Sequence, residues 1–196
     1  MLNKTKFFIR EHVGLLKLSD TYDILDPETQ EFLGVAKEKV PAAVHVLRLF
    51  VQKTMLPTSV IVYQGGSAEA PGLLLFEIRR SFNLGFRTRI QIINSQGISL
   101  GYFQKKAFSL GGAFFVFDAQ GQQVAKVSGN WKGWDFRFED ATGKALGQVT
   151  KKWAGFGKEL FTTADNYIVS LEQSNPGLAT LLLAAGLAID TVFKER

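Results

Sequence analysis

The sequence predicts a mainly β fold, a closed antiparallel barrel wrapped around a hydrophobic C-terminal helix, with one short amphipathic helix besides. Three observations carry it. The stretch SNPGLATLLLAAGLAIDTVFKER, residues 174–196, is apolar all round. A hairpin-like unit recurs four times along the chain. Phe and Gly are plentiful, 17 and 19 residues, which suits twisted strands joined by tight turns. At 196 residues the chain is read as one domain, 1–196, with room for a sizeable core.

The C-terminal helix is expected to begin at about Pro176. Asn175 can accept from orphan N–H groups as an N-cap, and a proline in the first turn loses no hydrogen bond it would have made. From Leu178 to Phe193 nearly every side chain is apolar or small, so the helix needs an apolar environment on every side, in protein or in lipid. Sixteen residues span about 24 Å, short of the roughly 30 Å bilayer core, and Asp190 interrupts the run. Burial in protein is therefore expected, with Asp190 as the polar group of the buried helix.

The strands follow from alternation and turn chemistry. Lys6 to Arg10 and Gly14 to Leu18 read as short strands. Tyr22 to Lys39 reads as a hairpin around Asp26-Pro27-Glu28-Thr29-Gln30. The pattern returns at Arg89 to Lys106, Phe114 to Gly129 and Trp134 to Trp153, where each turn ends in a glycine, Gly97, Gly121 or Gly143. Thr58 to Gln64 and Gly72 to Arg80 supply two more strands around Gly65 to Pro71, and Lys158 to Thr163 and Tyr167 to Gln173 the last two. Pro41 to Lys53 breaks the alternation, with Val44, Leu47 and Val51 on one helical face, and is read as an amphipathic helix lying on the barrel. An open meander would leave edges and could not enclose an apolar helix, so closure is the economical solution.

Composition narrows the chemistry. The absence of cysteine excludes thiol catalysis, disulfides, palmitoyl anchors and Cys-based metal sites, and fits a reducing compartment. Near the start, Arg10, Glu11 and His12 interrupt the apolar run that a signal peptide would need, so a cytoplasmic location is expected. The histidines are His12 and His45. There is no HExxH pair, GxSxG elbow, P-loop or GxGxxG, and no enzymatic activity is expected. A formal net charge of +5 favours anionic partners.

Three segments resemble a known family. YDILDP at Tyr22 to Pro27, KKWAGFGKELFTTADNYIV at Lys151 to Val169, and LLLAAGLAIDTVFKE at Leu181 to Glu195 are similar in order and spacing to phospholipid scramblases and the related LURP-one and Tubby C-terminal domains. The resemblance implies a closed twelve-stranded barrel threaded by the C-terminal helix, with Asp190 near the mouth or paired inside. Eukaryotic scramblases also carry a proline-rich N-terminal region and a cysteine cluster, and this chain has neither. Their proposed calcium segment is acidic. The matching stretch here keeps Asp165 and Glu172, too sparse for the six to eight oxygens calcium takes, so these two are weak candidates and no cofactor is expected.

One stretch is charge-segregated. Between Ile78 and Phe117 lie Arg79, Arg80, Arg87, Arg89, Lys105 and Lys106, with no Asp or Glu. Arg87 and Arg89 are two apart and share a face of a strand, and Lys105 and Lys106 fall roughly opposite them across the hairpin. The stretch can form a basic patch on one barrel face; the alternative is a solvated face whose acids come from other strands. In Tubby domains a basic strand pair binds phosphoinositide head groups, and the resemblance implies the same chemistry here. The first expectation is thus a monomer binding anionic phospholipid or phosphoinositide, peripheral at the inner face of a membrane. Lipid translocation with the helix in the bilayer, nucleic-acid binding and a protein-binding scaffold are the alternatives. Nucleic acid ranks lower because the aromatics nearby, Phe82, Phe86, Tyr102 and Phe103, read as core. Trp131, Trp134 and Trp153 read as core or as interfacial anchors.

Overall fold

The computed structural model describes residues 1–12, 19–40, 44, 56–81, 89–105, 113–130, 134–151 and 166–190. Its strands are β1 (Lys6–Glu11), β2 (Thr21–Leu25), β3 (Phe32–Lys39), β4 (Thr58–Gly66), β5 (Pro71–Arg80), β6 (Arg89–Asn94), β7 (Ser99–Lys105), β8 (Phe114–Asp118), β9 (Gln123–Asn130), β10 (Asp135–Glu139), β11 (Ala145–Thr150) and β12 (Tyr167–Leu171). Helix α1 (Pro176–Ala188) follows. The expected strand at Gly14 to Leu18 and that at Lys158 to Thr163 lie outside the described residues. So does the amphipathic helix, apart from Val44, which is helical and buried.

Each strand pairs antiparallel with its neighbour in sequence, and β1 pairs with β12, so one sheet closes into a twelve-stranded barrel. The repeated turn sequences explain the register. Asn94, Asp118 and Asp140 each accept, through one side-chain oxygen, from backbone N–H groups two and four residues on. Gly97, Gly121 and Gly143 then take the positive φ that closes the turn. The β2–β3 turn is one residue longer: Asp26 accepts from the N–H groups two and three residues on, and Gln30, four residues on, takes the positive φ of 60°. Each of these hairpins, and β4–β5, also carries a register shift next to its turn, which adds the twist and bend that closure needs.

Twelve strands about 4.8 Å apart and tilted about 40° make a wall roughly 24 Å across. Inward side chains leave on the order of 12 Å, the width of one helix. α1 fills that space. Asn175 accepts from the Leu178 N–H at 3.0 Å, as its N-cap role requires, and Ala179 to Ala188 are all buried. The helix lacks a polar face because strands surround it, and it packs against β12, β5 and β7. Glycines make the fit possible. A Cβ on Gly147 would meet a Leu182 methyl at 2.9 Å, and one on Gly186 would meet a Val169 methyl at 2.7 Å.

The main core is this lumen, where Phe76, Phe103, Phe114, Phe136 and Phe138 surround the helix. A second, small cluster of Phe8, Leu25 and Ile168 lies on the outer face of β12–β1–β2, because Phe8 alternates with core residues Phe7 and Ile9. Val35, on the same outer face of β3, is fully buried too.

Candidate functional site

Strand alternation divides the predicted basic patch. On β5, Phe76 and Ile78 point into the lumen, so Arg80 does as well. Arg80 is 3% exposed, and its Nε and Nη2 donate to the Leu56 carbonyl at 3.1 and 2.8 Å. It does not share a face with Arg79, and the expectation that both lie on one basic surface is corrected. Arg79 points outward and is clamped on Glu77, with Nε and Nη2 donating to the two carboxylate oxygens at 3.0 and 2.9 Å. That bond raises the arginine's pKa further. Glu77 stands just before the acid-free stretch, which is how a charge count from Ile78 onward misses it.

Arg89 is exposed at the start of β6. Arg79 faces Gln91 across β5–β6, so Arg79 and Arg89 are diagonal neighbours on one outer wall, about 7–8 Å apart at the backbone. Among the described residues no carboxylate reaches Arg89; its guanidinium lies over the Tyr102 ring, 4.6 Å from the centroid. Lys105 stands one register position beyond Gln104, the partner of Arg89, and opposite Phe114. Arg87 and Lys106 lie outside the described residues.

Tyr102 is the second correction. Its neighbour Phe103 is core, as expected, but Tyr102 faces outward and is half-buried. It stacks on Phe117, with centroids 4.6 Å apart and planes at 10°, and Phe115 meets Phe117 edge-on at 6.5 Å. The signal for this was the adjacency itself: in YF and FFVF only alternate residues can face the lumen. Trp134 is core and stacks on Tyr167; Phe82, Phe86, Trp131 and Trp153 lie outside the described residues.

At the end of the helix Asp190 is buried and accepts from the Tyr22 hydroxyl at 2.6 Å. Burial first, and the Asp190 charge second, push the Tyr22 pKa well up, so the phenol keeps its proton and acts as donor. This bond joins the helix to a strand 168 residues earlier. Nearby, buried Glu38 accepts from Thr58 Oγ1 at 2.9 Å and from the Asp20 N–H at 3.1 Å. On the outer face of β1–β2, Asp23 accepts from Arg10 at 2.7 Å and lies 2.7 Å from His12 Nε2. Of the calcium candidates, Glu172 is exposed before α1 and Asp165 lies outside the described residues. Among the described residues no three His, Cys, Asp or Glu stand together as a metal site, and no helix is long and apolar enough to cross a membrane.

A scramblase family model matches residues 68–196, from the β4–β5 turn through the helix. The chain belongs to the scramblase family. The strands before residue 68 complete the same closed sheet, since β1 seals β12 and β3 pairs with β4. A curated relative in Saccharomyces cerevisiae, altered inheritance rate of mitochondria protein 25, is 25% identical over 126 residues, 62% of this chain and 33% of that protein. The match thus spans about a third of the relative's length. No solved structure matches the chain.

Proposed function

We propose that this scramblase-family domain binds anionic phospholipid head groups at the inner face of a membrane, as a non-enzymatic monomer, through the outer wall where β5 and β6 meet. The observation that carries this reading is that Arg89 is exposed on the wall it shares with Arg79 and, among the described residues, has no carboxylate in reach. Each cation near an anionic surface adds roughly 1 kcal/mol, and Arg87 and Lys106 are the further contributors proposed from the sequence; Lys105 falls in register with core Phe114, off this wall. Arg80 is not among them. No cofactor is needed, because head-group binding takes only fixed donors and positive charge.

Co-sedimentation with vesicles tests this. Recovery should be higher with phosphatidylserine-containing vesicles than with neutral ones, should fall with added salt, and should drop when Arg87 and Arg89 are both changed to Glu. Equal recovery on neutral and anionic vesicles would overturn the reading. Lipid translocation is the alternative raised by the family description, whose match includes the helix. It would require α1 to leave a seat in which ten consecutive residues are buried. Accelerated dithionite bleaching of labelled lipid in reconstituted vesicles would decide for it.

A further inference from the structure

The outer face of β6–β9 differs from the rest of the barrel surface. Within these four strands Asp118 is the one carboxylate, and it is turned into the β8–β9 turn, accepting from Gln120 and Gln122. The outward positions include Arg89 and Gln91 on β6, Tyr102 and Gln104 on β7, Phe115 and Phe117 on β8, and Lys126 and Ser128 on β9. Lys126 faces Phe115 on one side and Glu139 of β10 on the other, where the acid-free panel ends. The three aromatics sit side by side in mid-panel, half-buried; among the described residues the charged groups beside them are Arg89, over Tyr102, and Lys126, opposite Phe115.

We infer that this panel is the surface that lies against the bilayer, with Tyr102, Phe115 and Phe117 seated at the head-group level and Arg89 bonded to lipid phosphate. The inference rests on the phospholipid reading above and adds where, and by what, the membrane is met. The stacking on Tyr102 occupies the face of the Arg89 guanidinium. Among the described residues no acceptor meets its in-plane N–H donors, and they are the ones that bind a phosphate in a bidentate pair. The ring beneath fixes their direction, so less side-chain freedom is lost when phosphate binds. Aromatic rings beside cations, without carboxylates, suit a zone that is apolar below and anionic above. Single-stranded nucleic acid would stack on open ring faces, but here the Tyr102 ring already meets both Arg89 and Phe117.

The chain has no cysteine, so single labels are clean. Gln104→Cys on the panel and Glu28→Cys in the β2–β3 turn would each carry an environment-sensitive dye and be mixed with phosphatidylserine-containing vesicles. The dye at 104 should brighten, shift to the blue and be quenched by brominated acyl chains, and the dye at 28 should stay unchanged. Arg89→Gln should weaken vesicle binding roughly five-fold. Binding of the unlabelled chain with a response at 28 and none at 104 would overturn this inference and leave the phospholipid reading standing. No vesicle binding at all would overturn both. Full displacement by inorganic phosphate or by single-stranded DNA would assign the panel to those ligands and overturn it too.

Discussion

Two walls of the same barrel spend their side chains differently. On the wall of β12, β1, β2 and β3 the outward residues Phe8, Leu25, Val35 and Ile168 are buried, and the basic side chains other than exposed Lys39 are already engaged. Arg10 and His12 hold Asp23, Lys37 donates to the Ala68 carbonyl at 2.6 Å, and Lys4 and Lys6 hold Asp26 and Glu28. On the wall of β6–β9 the outward aromatics are half-exposed and Arg89 rests on a ring. Positive charge alone does not mark a binding surface. What distinguishes the second wall is that, among the described residues, Arg89 meets an aromatic ring and no carboxylate.

The sharpest test of that contrast is one substitution made on both walls. Phe8→Ala should cost about 3–5 kcal/mol in urea unfolding, since Phe8 is fully buried, whereas Phe117→Ala should cost about 1 kcal/mol. Similar losses would mean that the β6–β9 wall is covered like the other. Next in size is Asp23→Ala, expected to cost about 1–2 kcal/mol because Arg10 and His12 lose their shared acceptor but can still reach water. Arg89→Gln should change unfolding by less than about 0.5 kcal/mol; a cost as large as that of Asp23→Ala would show that Arg89 serves the fold.

The smallest effect is the acid limb. The bond from Lys4, with the N–H groups of Thr29 and Glu28, holds the Asp26 carboxyl at about 2, against an ordinary value of 3.8. Its folded pKa is lowered, so its contribution is present above about pH 4 and fades as pH falls through about 2. Asp26→Asn should flatten that part of the urea midpoint against pH. An unchanged acid limb would show that the ion pairs of the covered wall do not contribute to stability.

Turn chemistry was legible in the sequence because it is local. Asn94, Asp118 and Asp140 each meet their glycine three residues later, and Asn175 caps the helix it precedes. The patch was half legible. The run Phe76-Glu77-Ile78-Arg79-Arg80 already places the two arginines on opposite faces, and the apolar residues two and four places before Arg80 say which one goes inside. What no local pattern could supply was the partner of Asp190. Its acceptor need was clear, but one donor is Tyr22, brought there by barrel closure. The helix was expected to run to Phe193; its α-helical part ends at Ala188 and is followed by a wider turn at Ile189–Asp190, and residues 191–196 lie outside the described residues.

Because the helix that fills the lumen comes after all twelve strands, the order of synthesis matters. A nascent chain that has left the ribosome as far as β11 holds a curved sheet with two open edges and nothing to wrap. Its first strand waits for the last, Phe7 for Val169, before either edge is sealed. Such late, long-range closure is slow and exposes strand edges to other chains meanwhile. Until the helix arrives, the unsealed edges are where sister chains can pair with it.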